Sequence, residues 1–114
     1  MSSFDSLNKV ILLGRLGKDP EVKYSQSGTA VCTFSMATSE SVKKGDEFED
    51  ATTWHKIVCF GKLAENCGKF IKKGSKILLE GRIQNREYTD KEEVKRYISE
   101  VVTNDIKFLD PKGE

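Results

Sequence analysis

The chain has 114 residues, enough for one domain with its own core, and its 37% hydrophobic and 32% charged content is that of a soluble globular protein. Its 19 Lys and Arg against 18 Asp and Glu leave a formal net charge of +1. That near-neutral total excludes a histone-like polyanion binder acting through bulk charge, while a local basic groove stays open. Cys32, Cys59 and Cys67 form no CxxC pair and the chain has a single histidine, so neither a disulfide framework nor a zinc site is expected.

The N-terminal MSSFDSLNK carries no apolar signal segment, and the run Val10-Ile11-Leu12-Leu13 is too short to span a membrane. A cytoplasmic protein is expected. Lys9 to Leu16 reads as the first strand, bulged at Gly14 and closed by Gly17 and the Asp19-Pro20 turn signal. A second strand runs from Thr29 to Thr38, rich in β-branched and aromatic residues. Residues 39–51 form either a long hairpin arm or a flexible loop around Lys44-Gly45-Asp46. In the third strand, Thr52 to Phe60, Trp54, Lys56, Val58 and Phe60 share one face, and His55, Ile57 and Cys59 share the other.

After Gly61 the period changes. Leu63, Cys67, Phe70 and Ile71 fall at i, i+4, i+7 and i+8, which predicts an amphipathic helix from Lys62 to Lys72 closed by Gly74. Gly68 costs that helix about 1 kcal/mol relative to Ala. Alternation returns from Ser75 to Tyr88, with Ile77, Leu79 and Ile83 on one side. Lys76, Glu80, Arg82, Gln84, Arg86 and Tyr88 lie on the other. Val94 to Leu109 supplies the last strand or pair of strands, and residues 110–114 are expected to form a short mobile tail. Three strands, a helix and two strands fit an all-β, five-stranded OB-fold Greek-key barrel with one short helix between strands three and four, while strand order alone leaves other small barrels and α+β folds open.

Catalytic patterns are missing. His55 stands among apolar neighbours, where an interior or interface role is the plain reading. No nucleophile elbow, phosphate-cradling loop or EF-hand spacing occurs. No enzyme, cofactor or metal is expected. Binding a single nucleic-acid strand needs aromatic platforms, cations along the phosphate path and a curved sheet to carry both. Trp54 and Phe60 share a face with Lys56, and Tyr88 ends a strand whose matching face carries Arg82 and Arg86. Such aromatics either fill the core or stack bases, and the cations beside them favour stacking. Phe4, Phe34, Phe48, Phe70 and Phe108 have no such neighbours and are core or interface candidates. The run Lys69, Lys72, Lys73 and Lys76 reads as a solvated face that suits a helix C-terminus, with Lys62 and Lys73 as candidate phosphate contacts.

The stretches NKVILLGRLGKDPEVKY (8–24), ATSES (37–41), TWHKIVCFGKLAE (53–65), KKGSKILLEGRIQNREYTD (72–90) and RYISEVV (96–102) resemble the bacterial and mitochondrial single-stranded-DNA-binding proteins. The resemblance runs in order from Asn8 to Val102. It implies an OB-fold domain over residues 1–109 that forms a homotetramer and coats single-stranded DNA during replication, recombination and repair. It also implies base stacking on Trp54, Phe60 and Tyr88, and it sets His55 near a subunit interface. Phosphate neutralisation is expected from Lys9, Arg15, Lys23, Lys56, Lys62, Lys73, Arg82 and Arg86. Three features differ from the family's usual pattern. Val42 stands where an aromatic commonly follows ATSES, Gln84-Asn85-Arg86-Glu87 is less basic than the family's stretch before the last aromatic, and the sequence as given stops at Glu114 before any long acidic-tipped tail of the kind that recruits replication and repair enzymes. Primosome-type dimers, RNA-binding OB domains and a ligand-free oligomerisation module are the competing readings. The last of these requires a buried Trp54.

Overall fold

The computed structural model describes residues 5–110, so Phe4 and the tail from Pro111 onward lie outside the described residues. The elements in order are β1 (Val10–Leu16), β2 (Glu21–Tyr24), β3 (Ala30–Lys44), β4 (Glu47–Phe60), α1 (Gly61–Phe70), β5 (Lys76–Thr89) and β6 (Lys95–Phe108). Across the sheet the order is β1-β5-β6-β4-β3-β2, and a second pairing of β1 with β3 closes it into a barrel. Pairing is antiparallel except between β4 and β6, which run parallel at Ile57–Val101 and Val58–Val102. The barrel strands are therefore β1, β3, β4, β5 and β6, with the helix between the third and fourth of them, in OB fashion.

Alternation explains the core. Ala30, Cys32, Phe34 and Met36 on β3 point inward, as do Ile57 and Cys59 on β4, and Ile77 and Leu79 on β5. Leu16, Val101 and, from the helix side, Ala64, Cys67 and Ile71 complete the cluster. The three thiols meet there, with Cys59 Sγ 3.8 Å from Cys67 Sγ and Cys59 opposite Cys32 in the ladder. Hydrogen bonding to Cys32 and burial push the Cys67 thiol up to about 12. The same causes raise Cys59, so both stay protonated at neutral pH.

Several sequence expectations need correction. Glu21–Tyr24, which the sequence reading assigned to no element, is a strand pairing Glu21 to Thr33 through Tyr24 to Ala30. Four residues are too few to show a period, and the β3 edge beside them dictates the strand. No bulge occurs at Gly14, since the β1–β5 register runs unbroken from Val10 to Arg15. Gly14 instead lets β3 close on β1, because a Cβ there would lie 2.1 Å from the Ala37 carbonyl oxygen. The ladder irregularity falls between Glu80 and Gly81, where Asn104 of β6 is the extra residue.

The helix begins at Gly61, whose φ of 69 makes the turn out of β4, and ends at Phe70, four residues before Gly74. Ile71 is buried but already extended, and its N–H closes the last turn on the Cys67 carbonyl. Phe70 is not core. It is exposed and meets Phe108 with ring centroids 6.0 Å apart. Gly68 is required by packing: a Cβ there would lie 2.6 Å from Val22 Cγ2 of β2.

Residues 39–51 resolve as the arm rather than the loop. β3 and β4 stay paired out to Lys44–Glu47, and Gly45 at φ 62 makes the two-residue turn. Residues 39–50 are exposed on both faces. A second arm, the outer half of the β5–β6 hairpin, turns at residues 90–94. Asp90 Oδ1 accepts the Glu92 and Val94 N–H groups there, and Oδ2 accepts Arg96 Nε. The Arg96 guanidinium, with those N–H donors, holds the Asp90 carboxyl below the usual carboxylate range. Ile83 keeps the parity of Ile77 and Leu79 but is half exposed, because β5 has left the barrel by that point.

Candidate nucleic-acid interface

Inward Ile57 and Cys59 oblige Trp54, Lys56 and Phe60 to face outward on β4. The antiparallel register of β5 and β6 places Arg82, Gln84, Arg86 and Tyr88 on one face with Arg96, Ile98, Glu100 and Val102. Since β6 lies between β4 and β5, with Val58 beside Val102, these rows form one continuous outer face of three strands. Trp54 is 60% exposed, Phe60 49% and Tyr88 45%. Three large aromatics are thus open to solvent on a face that also carries Lys56, Arg82 and Arg86. The core-filling alternative does not hold for any of them.

Trp54 has a bed. A Cβ built at Gly17 would lie 2.4 Å from its Cζ3 and 2.6 Å from its Cη2. The six-membered ring therefore occupies the space a side chain at 17 would need. The Gly17 N–H donates to the Ser35 carbonyl at 3.0 Å, and the Gly74 N–H to the Leu16 carbonyl at 2.9 Å, so this bed is fixed main chain. Sequence reading took Gly17 only for a strand terminator. The ring of a residue 37 positions away leaves no local signal.

The eight anticipated cations do not form one set. Lys9 pairs with Glu80 at 2.7 Å, and that hydrogen bond raises its pKa above the ordinary lysine value. Lys23 pairs with Glu21 at 3.1 Å, while Arg15 and Lys62 stand 4.0 Å from Asp110 and Glu65 respectively. These four pairs are exposed, where solvent and salt screen the attraction between the charges. A phosphate could displace the carboxylate at little cost. Lys56, Lys73 and Arg82 have no ion pair among the described residues. Arg86 is different. Its Nε donates to Glu100 Oε1 at 2.9 Å, and Glu100 is buried, with Gln84 as its other side-chain partner at 3.4 Å. Only the η N–H groups of Arg86 remain for another anion. The Lys73 main-chain N–H donates to Asp19 Oδ1 at 2.8 Å, which ties the turn after the helix to the loop after β1.

His55 points away from the aromatic face, half buried, with Nε2 2.9 Å from Thr38 Oγ1. It edges an open groove of about 310 Å³ walled by Val10, Leu12, Ile83 and Val101, with Trp54 at its rim. Beside the groove, β1 turns Ile11 and Leu13 outward and exposed. Val42 lies on the arm face opposite Trp54. Tyr24 and Tyr97 are further exposed aromatics that sequence reasoning gave no role, and Phe48, expected in the core or at an interface, is exposed and outside the core. Among the described residues no group of three or more His, Cys, Asp or Glu is placed to hold a metal ion, and no helix is long and apolar enough to cross a membrane.

The model of the single-strand binding protein family matches residues 7–109. The chain belongs to that family. A "Single-stranded DNA-binding protein" of Neisseria meningitidis serogroup A is 48% identical over 110 residues, which is 96% of this chain and 63% of that relative. One from Bacteroides thetaiotaomicron is 43% identical, covering 95% of this chain and 69% of its own length. The chain thus spans less than two thirds of the Neisseria relative. Among solved structures, "Plasmodium falciparum SSB complex with ssDNA" superposes with a TM-score of 0.84 at 30% identity, covering 96% of this chain and all of that one.

Proposed function

We propose that the chain binds single-stranded DNA without strong sequence preference, coating and protecting it during replication, recombination and repair, and that it acts by binding rather than catalysis. The observation that carries this reading is the outer face of β4, β6 and β5, where Trp54, Phe60 and Tyr88 stand exposed among Lys56, Arg82 and Arg86. Stacking one base on one such ring contributes about 1–3 kcal/mol and tolerates any base, because every base offers a π-face. Lys56, Lys73 and Arg82 meet phosphates directly. Lys9, Arg15, Lys23 and Lys62 do so by exchanging an exposed carboxylate for a phosphate oxygen. Arg86 keeps Glu100 and offers its η N–H groups. Residues 1–109 form the DNA-binding domain. The names of the relatives and of the superposed complex support the same ligand.

Assembly as a homotetramer in the cytoplasm belongs to this reading. Exposed Ile11 and Leu13, with the His55 groove beside them, offer apolar surface that the barrel itself leaves uncovered. Recruitment of replication and repair enzymes is assigned to an acidic-tipped tail of the family's kind, not to the barrel. The test is titration of the single tryptophan's fluorescence with oligo(dT) at low and high salt. Saturable quenching that weakens with salt is expected. Unchanged emission at both salts would remove Trp54 from the DNA path and overturn the reading.

A further inference from the structure

The β3–β4 arm continues the Trp54 face well beyond the barrel. Its register pairs Ala37 with Trp54, Ser39 with Thr52, Ser41 with Asp50 and Lys43 with Phe48. Because side chains alternate, these four pairs share one face, and Glu40–Ala51, Val42–Glu49 and Lys44–Glu47 take the other. Phe48 is 69% exposed, and among the described residues Lys43 has no ion pair. At a strand rise of about 3.3 Å per residue, Phe48 stands roughly 20 Å from Trp54 along β4.

The two faces of the arm differ in charge. Glu40, Glu47 and Glu49 lie on the face away from Trp54, where the one lysine, Lys44, is engaged by Glu49 at 3.4 Å. The Trp54 face carries Lys43, Phe48, the hydroxyls of Ser39, Ser41 and Thr52, and Asp50 as its one carboxylate. A polyanion that arrives at Trp54 is repelled by one side of the arm and can lie along the other. An exposed aromatic directly across from a lysine offers a base a ring and its phosphate a cation.

We infer that Phe48, with Lys43 across the ladder, is a further nucleobase-stacking site, and that a DNA strand seated on Trp54 runs out along this face of the arm to reach it. The inference rests on the proposed single-strand binding and extends its path to a position that nothing about the barrel requires. Phe48 makes no core contact, so its replacement leaves folding intact.

The experiment uses the whole chain and oligo(dT) of two lengths, one too short to leave Trp54 and one long enough to cover the arm. Phe48→Ala is expected to weaken the long oligomer about tenfold and to leave the short one unchanged. Phe48→Leu, which keeps apolar area but has no ring, is expected to behave like the alanine variant. In a Trp54→Phe, Phe48→Trp double variant, the tryptophan at 48 is expected to be quenched by the long oligomer only. Equal long-oligomer affinity in wild type and Phe48→Ala, with no quenching at 48, would overturn the inference while wild-type Trp54 is still quenched. If wild-type Trp54 is itself unquenched, the binding reading fails first. A changed sedimentation coefficient for Phe48→Ala with unaltered DNA affinity would also overturn it, and would assign Phe48 to a contact between copies.

Discussion

Replacing Gly17 with alanine tests how Trp54 is held. The new Cβ would lie 2.4 Å from Cζ3 and 2.6 Å from Cη2, well inside contact distance, so either the ring or the main chain must move. The main chain is pinned by hydrogen bonds from the Gly17 N–H to Ser35 and from the Gly74 N–H to the Leu16 carbonyl. Trp54 is 60% exposed and free to rotate outward, so the ring moves. Gly17 is not among the residues with positive φ, so alanine fits its backbone. Alanine's lower unfolded-state entropy returns about 0.4–1 kcal/mol, close to what the lost ring contact removes. Thermal stability should therefore shift by a few degrees at most. Binding should suffer much more. Losing one stacked base forfeits about 1–3 kcal/mol, or roughly 5- to 150-fold in affinity for oligo(dT). Two measurements check this, calorimetry of the free protein and Trp54 fluorescence titration. Gly17→Ala added to Trp54→Ala should lower DNA affinity no further, since the pair acts on binding through one ring. Wild-type emission and affinity in Gly17→Ala would refute the account of the bed.

The other expectations follow from single contacts. Arg86→Ala leaves the buried Glu100 carboxylate with Gln84 alone at 3.4 Å, and should lower stability in urea by about 1–3 kcal/mol, whereas Arg86→Lys recovers part of it. No loss on removing Arg86 would mean that Glu100 is satisfied without it. Asp90 has a depressed folded pKa, so its contribution is present above the unfolded value of about 3.9 and disappears as pH falls through the folded one. Asp90→Ala should therefore be less stable than wild type at pH 7, with the gap closing in strong acid. A gap independent of pH would contradict the carboxylate's part in the turn. Cys32, Cys59 and Cys67 are fully buried, so a thiol reagent should find none of them until the chain unfolds. Lys56→Gln and Lys73→Gln should each reduce the log–log salt slope of oligo(dT) binding by about 0.7, the value for one phosphate contact on a single strand. An unchanged slope would remove that lysine from the DNA path.

Parity within one strand is a local property, and it was legible. Trp54, Lys56 and Phe60 had to face away from Ile57 and Cys59, and Arg82, Arg86 and Tyr88 had to share a face, whatever the barrel did around them. The strand–helix order was legible for the same reason, because period 2 gives way to period 3.6 after Gly61 and returns at Ser75, whereas the closed five-strand barrel was implied by the family resemblance. What the chain alone did not disclose depends on neighbours distant in sequence. The four residues Glu21–Tyr24 become a strand because the edge of β3 is beside them, and Phe70 stays outside because the chain turns inward at Ile71 instead. Lysines and arginines alike in composition divide into those already paired with carboxylates and those that are not. Only folding brings Glu80 to Lys9 or Glu100 to Arg86. The bed of Trp54 belongs to the same class. Sequence determined that the ring faces out, and the tertiary structure decided what it rests on, because Gly17 reaches it only through closure of the barrel.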